Sequence, residues 1–453
     1  MASSLGTDSG GGLPLWTVLP FACYLLTIAV VPLFFGHYWK RNRNKLILAL
    51  AASAPVIAYL LSAHAGHLLL GSVKEYIAFI VLLASLFIIS GDIHLKGTLT
   101  GTPLVNTGFL ALGAVLASLI GTTGASMLLI RPLLRANEKR DRKTHIVIFF
   151  IFIVSNGGGM LTPLGDPPLF LGFLRGVPFL WTLQLFAPWA LVNGVLLVIF
   201  IFLDQAILKK EVKQRPVPRP EEVQGLEGPL RILGGLNFLW LLGVIAVNAG
   251  VGYYGSIHHW SDGLEKMILV AGTGAMAGLS RLATPEDIRT VNGFTWGPLV
   301  EVAVIFIGVF VTMVPATLIL EEMGRSGAIR MNQAWQFFWG SGVLSSFLDN
   351  APSYVTSASL ACGVVGGQTH QTIDPANLGQ LLAQPHGALF LKAVSCGSVF
   401  MGANSYIGNG PNFMVKAIAE ERQVPMPSFL GYMGWSIGIL IPLFIVVTLI
   451  FFR

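Results

Sequence analysis

Apolar runs long enough to cross a lipid bilayer recur along the whole sequence, and this feature most restricts the possible folds. A helix needs about 20 mainly apolar residues to cross the hydrocarbon core, and residues 15–35 and 298–320 both reach that length. Only 11% of the residues are charged, whereas soluble domains carry about 25%. The chain is therefore predicted to be an all-α polytopic membrane protein.

Composition also limits the partners that we expect. The cysteines Cys23, Cys362 and Cys396 lie in apolar stretches without metal-ligand spacing. The net charge of +6 is attributed to basic loops on the cytoplasmic side, and the basic–aromatic interleaving of nucleic-acid binders is absent from the sequence. The expected partners are the bilayer and a small ion or small anion, with sodium or a proton as coupling ion, and no cofactor or nucleic acid.

The apolar segments fall into two halves around a polar, proline-rich stretch. We predict a first membrane repeat at 1–205, a cytoplasmic linker at 206–230 and a second repeat at 231–453. The predicted segments are 15–36, 46–70, 76–91, 104–135, 145–175, 178–205, 231–254, 264–281, 298–320, 335–364, 386–421 and 428–452.

The basic loops set the expected orientation. Lys and Arg cluster at 40–45, at 139–143 and in the linker, and such clusters favour the cytoplasm. The N-terminus is then outside, and 104–135 enters and leaves on the same side as a re-entrant hairpin. Five crossings remain in the first half, so the second half is inverted, as in many secondary transporters.

Two pairs of segments resemble one another between the halves. Residues 118–126 match 345–353, with Ser118 aligned to Ser345. Residues 155–170 match 398–413 without gaps, with identities such as Gly159/Gly402 and Gly165/Gly408 and the similar pair Asp166/Asn409. The glycines and prolines of the second pair disfavour a regular helix, so we predict discontinuous helices at a buried site.

Asp166 and Asp349 are the main candidate site residues. A carboxylate at membrane depth is costly and is usually retained for ion binding or proton transfer. No basic residue lies between Arg330 and Lys392 to pair locally with Asp349. Helix capping is the alternative role for both acids. Asp92 and His94, by contrast, are expected in a cytoplasmic loop, with a proton path as the alternative.

Hydroxyl and amide side chains at the matched segments form a weaker candidate set, because each could equally join two helices. The predicted ion- or substrate-binding residues besides the two acids are Asn156, Asn350, Ser155, Thr162, Thr122, Thr123, Ser126, Ser353, Asn404, Ser405 and Asn409.

These motifs resemble the ion-transporter superfamily of NhaD-type sodium/proton antiporters, ArsB-type arsenite permeases and citrate and dicarboxylate carriers. The resembling runs lie at 156–166, 349–352 and 402–409. The resemblance implies inverted repeats of five transmembrane helices and one re-entrant hairpin each, an elevator mechanism, a homodimer and a bacterial inner-membrane location. It also implies functional roles for Asn156, Asp166 and Asp349, the two acids being transient sodium ligands.

One departure bears on the substrate. The antiporters place acids at the first hairpin tip, where this sequence has Thr122-Thr123, which lowers the negative charge available for a cation. Our leading hypothesis from the sequence is sodium/proton antiport by alternating access. The alternative is a sodium- or proton-coupled carrier of citrate or another carboxylate. A channel or intramembrane enzyme is disfavoured because the sequence lacks HExxH, GxSxG and filter-like motifs.

Overall fold

The computed structural model describes residues 13–39, 41–96, 100–214, 231–258, 260–291 and 295–453. The helices before the linker are α1 (Leu19–Phe34), α2 (Gly36–Trp39), α3 (Asn42–Ser62), α4 (Gly66–Gly91), α5 (Pro103–Ile120), α6 (Thr122–Ala136), α7 (Thr144–Ile153), α8 (Pro167–Leu174) and α9 (Phe186–Gln214). Those after it are α10 (Asn237–His258), α11 (Asp262–Ala283), α12 (Glu286–Val291), α13 (Gly297–Arg325), α14 (Ala334–Phe347), α15 (Asn350–Thr369), α16 (Leu378–Leu382), α17 (Gly387–Met401), α18 (Gly410–Glu421) and α19 (Phe429–Phe451). Short 3₁₀-helices lie at Leu15–Val18, Gly157–Met160, Phe179–Leu185 and Gly402–Asn404.

Within these described ranges, 8 helical segments are long and apolar enough to cross a membrane. They are Leu15–Pro32, Asn42–Ser62, Gly66–Gly91, Pro103–Ile120, Phe179–Lys213, Asn237–Gly255, Gly297–Arg325 and Phe429–Phe451. The chain is therefore an all-α polytopic membrane protein, as the sequence predicts. The predicted segments 335–364 and 386–421 are interrupted, and of their helices only α15 reaches 18 residues. α15 and α11, which covers the predicted segment 264–281, are long enough but not apolar enough to belong to this set.

The turn between the second and third spans differs from the prediction. α3 ends at Ser62 and α4 begins at Gly66, with His64 in a left-handed turn at φ 56°. The predicted break between the segments 46–70 and 76–91 is therefore wrong, because the chain turns at residues 63–65 and α4 is continuous through residues 71–75. In the structure Glu75 lies inside α4, buried, and pairs with Arg175 at 3.0 Å.

The predicted linker is helical in its first part. α9 continues through residues 206–214, and residues 215–230 lie outside the described residues. The next span begins at Asn237 rather than at residue 231, because Arg231–Leu233 forms strand β2. This strand pairs antiparallel with β1 (His94–Lys96).

Asp92 lies in the short turn between α4 and β1, where the sequence predicts a loop, and its side chain is buried. Its carboxylate accepts hydrogen bonds from Arg289 Nε at 2.5 Å and Ser280 Oγ at 2.8 Å. Asn237 donates to the Asp92 backbone carbonyl at 2.9 Å. These bonds join the end of α4 to the second half of the chain.

Burial separates a central group of helices from an outer layer. α7 is buried on all sides, as are most residues of α15, which is typical of a helix surrounded by other helices. Residues on α1, α10 and α19 expose large apolar side chains, Leu26, Leu242 and Ile450 among them. An exposed apolar face of this kind suits contact with lipid acyl chains.

Each half contains two interrupted helices, and the interruptions lie at matching places in the two halves. α5 and α6 meet at Gly121, which has φ 81°, and α14 and α15 meet at residues 348–349. The segment 154–166 separates α7 from α8, and the segment 402–409 separates α17 from α18.

The hydrogen bonds of the two broken segments match each other. Ser118 Oγ donates to the Gly158 carbonyl, and Ser346 Oγ donates to the Met401 carbonyl. In return, Thr162 Oγ1 donates to the Ser118 carbonyl. In the other half, Ser405 Oγ donates to the Ser346 carbonyl at 2.5 Å.

These bonds pair Ser118 with Ser346, one residue later than the sequence alignment with Ser345. Both registers place a serine opposite Ser118, and the additional match of Ser126 with Ser353 favoured the wrong one. The corrected register also pairs Thr122 with Asn350, which are the first residues of α6 and α15.

The identical glycines have a packing reason. A Cβ on Gly165 would lie 2.2 Å from the Gly159 carbonyl oxygen, and one on Gly408 would lie 2.5 Å from that of Gly402. Both broken segments therefore cross over themselves at a spacing that excludes a side chain.

We expect Gly165→Ala to destabilise the protein by about 1–3 kcal/mol or more, since the clash involves backbone atoms. The control is Gly194→Ala in α9, where nothing lies within 4 Å of the added Cβ. Thermal unfolding in detergent measures both. Equal melting temperatures for the two variants would contradict the close approach.

Candidate functional site

A cavity of about 500 Å³ lies beside the broken segments. α1, α4 and α13 form one wall with apolar side chains such as Leu82, Val302 and Phe306. α6, α8 and α18, with the segments that precede them, form the other wall. Its polar lining includes Thr122, Thr123, Asp166, Asp349 and Asn409.

Four helices begin at this cavity. α6 begins at Thr122, α8 at Pro167 and α18 at Gly410, and Asp349 is the N-cap of α15; all four residues line the cavity. The N-terminal end of a helix carries about half a positive charge from aligned peptide dipoles. The arrangement therefore favours a negative group in the cavity.

Asp166 lies at the centre of this convergence. The residue is 2% exposed, and its carboxylate accepts three hydrogen bonds. The donors are Thr122 Oγ1 at 2.9 Å, Asn350 Nδ2 at 2.6 Å and Asn409 Nδ2 at 3.2 Å. These donors come from the starts of α6 and α15 and from the N-cap of α18, so one carboxylate joins three separate elements.

The predicted residues Asn156 and Ser155 form a second layer behind Asp166. Asn409 Nδ2 also lies 3.2 Å from Asn156 Oδ1 and 3.0 Å from the Ser155 carbonyl. Asn156 donates to Asn412 Oδ1 at 2.7 Å, and Ser155 Oγ lies 2.9 Å from Ser126 Oγ. All these residues are buried, so the layer fixes Asn409 rather than opening to the cavity.

Asp349 is half-buried and caps α15. Its Oδ1 accepts from the Ala351 amide at 3.1 Å, and Ser353 Oγ donates to the Asp349 carbonyl at 2.9 Å. Asp349 therefore caps α15, which was the alternative role predicted for it, and it also lines the cavity. A capping carboxylate has unused acceptor positions on both oxygens, so capping leaves Asp349 able to bind a cation.

Asn350 has a polar atom in need of a partner. Its Nδ2 donates to Asp166, and its Oδ1 is buried without a hydrogen-bond partner in the described structure. An unsatisfied buried acceptor costs about 1–3 kcal/mol. A cation beside Asp166 and Asn350 would satisfy it.

Three other predicted residues hold the broken backbone and do not line the cavity. Thr162 bonds the Ser118 carbonyl, and Ser405 bonds that of Ser346. Asn404 Nδ2 donates to Ser346 Oγ at 2.9 Å.

The backbone carbonyls of the glycine run also have hydrogen-bond donors, since Asn193 donates to the Gly157 carbonyl and Trp189 donates to the Gly158 carbonyl. Two backbone carbonyls of this stretch therefore already accept hydrogen bonds and are less available to a cation.

The sequence reasoning missed Arg131 and Tyr406, which line the same cavity. Arg131 lies in the second arm of the first hairpin, and a charged residue within an apolar run is itself a signal of function. Tyr406 donates to the Pro427 carbonyl at 3.1 Å and stacks on Tyr432 at 4.2 Å between ring centroids. An aromatic residue in a glycine-rich segment gave no comparable signal.

Apolar spanning helices around a cavity built from broken, polar segments are features of a membrane transporter. The family described as "Putative citrate transport" matches residues 10–452, which is nearly the whole chain. The chain belongs to this transporter family, within the wider superfamily that its motifs resemble. No curated protein matches the chain at a significant level.

We expect Thr122→Val to lower the free energy of unfolding by about 1.5–3 kcal/mol, because it removes a hydrogen-bond donor from a buried carboxylate. The neighbouring Thr123→Val is the matched control. Thr123 also lines the cavity, but its hydroxyl forms no hydrogen bond with a described residue. Thermal unfolding of both variants, side by side, measures the difference. A larger loss in the control would contradict the role assigned to Thr122.

Proposed function

We propose that the chain is a secondary-active carrier of a small carboxylate anion of the citrate class, coupled to sodium ions or protons. The observation that carries the proposal is the convergence of four helix N-termini on one cavity. Partial positive charges there suit the carboxylates of such an anion. The description of the family to which the chain belongs, "Putative citrate transport", supports this class of substrate.

The coupling cation is proposed to bind between Asp166, Asp349 and Asn350. Both acids line the cavity, and the unpartnered Asn350 Oδ1 supplies a third oxygen. Sodium prefers such hard oxygen ligands. Neutralising these acids with sodium or a proton removes their repulsion of an incoming carboxylate, which would make anion binding depend on the cation.

The proposed architecture consists of two inverted repeats, each with five crossings and one re-entrant hairpin. The matched hydrogen bonds of the two broken segments support it. Transport would proceed by an elevator-type movement of the central broken helices against the outer helices. The homodimer, the bacterial inner-membrane location, the external N-terminus and the cytoplasmic linker belong to the same proposal.

Sodium/proton antiport is the second candidate function. It is favoured by the presence of Asp166 and Asp349, two of the four acids that line the cavity, at the starts of α8 and α15. In this scheme sodium and protons compete for the two carboxylates, and no anion is carried.

Citrate uptake into proteoliposomes tests the first proposal. An inward sodium or proton gradient should drive uptake, and Asp166→Asn and Asp349→Asn should each reduce it at least tenfold, about the effect of losing a charged ligand. Asp287→Asn, at an exposed acid of α12, should transport normally. Wild-type vesicles that accumulate no citrate or dicarboxylate under either gradient would refute the proposal.

A pH probe inside the same vesicles separates the two candidates. The carboxylate carrier should show proton movement on sodium addition only when citrate is present. Sodium-induced alkalinisation or acidification without any anion substrate, lost in Asp166→Asn, would instead establish antiport.

A further inference from the structure

A second, smaller pocket adjoins the main cavity and is surrounded by basic side chains. Its volume is about 40 Å³, and its lining includes His94, Arg131, Arg135 and Arg422. We call these four residues the basic pocket. No acid is found among the described residues that line it.

Three separate elements bring the basic side chains together. Arg131 and Arg135 are four residues apart on α6, and therefore lie on the same face of that helix. Arg422 is the C-cap of α18, which packs against α6, and His94 belongs to β1, which also contacts α6. The convergence depends on tertiary packing, since nothing in the local sequence joins these residues.

Like charges this close destabilise a fold unless an opposite charge offsets them. Neither the Arg131 nor the Arg422 guanidinium forms a salt bridge with a residue that the structure describes. Glu421 stabilises the charged form of Arg131, but its carboxylate is exposed and lines the main cavity rather than the basic pocket. A bound anion would offset the charges of Arg131 and Arg422.

The basic pocket and the main cavity share lining residues. Arg131 and Met127 line both, so an anion at the helix N-termini can reach the pocket along one face of α6. About 40 Å³ admits one carboxylate group rather than a whole citrate. Arginine suits this role because its planar fork binds a carboxylate through two parallel hydrogen bonds.

We propose that the basic pocket is a second anion station, which holds one carboxylate of the transported anion as it enters or leaves the main cavity. The inference rests on the proposed function for the identity of that anion. Arg131 would bind the carboxylate as it moves between the main cavity and the basic pocket. Arg135 and Arg422 would bind it in the pocket.

Calorimetric titration of the purified full-length protein with citrate tests the station. Arg135→Gln/Arg422→Gln should weaken binding about tenfold or more, as expected when charge-assisted hydrogen bonds are lost. The single variant Arg422→Gln, at an exposed position, should give a smaller loss and guards against misfolding of the double variant. Arg43→Gln removes the same charge from an exposed position on α3 and should bind as the wild type does.

Titration with acetate and phosphate separates failure of this inference from failure of the proposed function. Arginine-dependent binding of either anion by a protein that carries no citrate would refute the function and keep the station. Normal citrate transport with unchanged affinity and KM in the arginine variants would overturn the station and keep the function. The station is likewise overturned if phosphatidylglycerol in nanodiscs, and no free anion, stabilises the protein in an arginine-dependent way, because the ligand is then a lipid phosphate.

Discussion

The carboxylate of Asp166 is the point at which the two halves of the chain are joined at the site. Its three donors lie on α6, α15 and the N-cap of α18, and a buried carboxylate without them would cost several kcal/mol. Since each donor also begins or caps a helix, the bonds that satisfy the charge also fix where those helices start. Asn409 is held in turn by Ser155 and Asn156. A displacement of any of these elements would therefore change the hydrogen bonds of Asp166 in the cavity wall.

Charge in the cavity is divided between backbone and side chains. Helix N-termini contribute partial positive charges that cannot be titrated. The lining side chains include four acids, Asp166, Asp349, Glu301 and Glu421, and the base Arg131; Glu301 is paired with Lys45 at 2.6 Å. In the proposed carrier, an anion would meet a net attraction only after a cation or proton neutralises Asp166 and Asp349. In the proposed carrier the cation therefore binds before the anion for electrostatic reasons. This order of binding does not require a single residue to act as a gate.

The sequence was informative where a local rule was broken. Three successive glycines and a Pro-Pro pair predicted the break before α8, and the isolated acids Asp166 and Asp349 predicted the cavity wall. It failed at two places: the consecutive serines Ser345 and Ser346 allowed two registers, and the turn between α3 and α4 was placed about eight residues too late. The pairing of Glu75 with Arg175, and the gathering of Arg131 with Arg422, depend on contacts between distant elements. No local pattern encodes such contacts.

Gly121 and Asp349 occupy equivalent places, each directly before the first residue of a hairpin's second arm. Gly121 has φ 81° and ψ 150°, a conformation that side chains rarely adopt, whereas Asp349 has φ −59°. An acid at position 121 would be strained, so the first half cannot readily carry an acid in the position that Asp349 occupies in the second half. The two halves therefore differ in backbone conformation at this position as well as in side chain. A site with acids at both of these positions would require a different turn between α5 and α6.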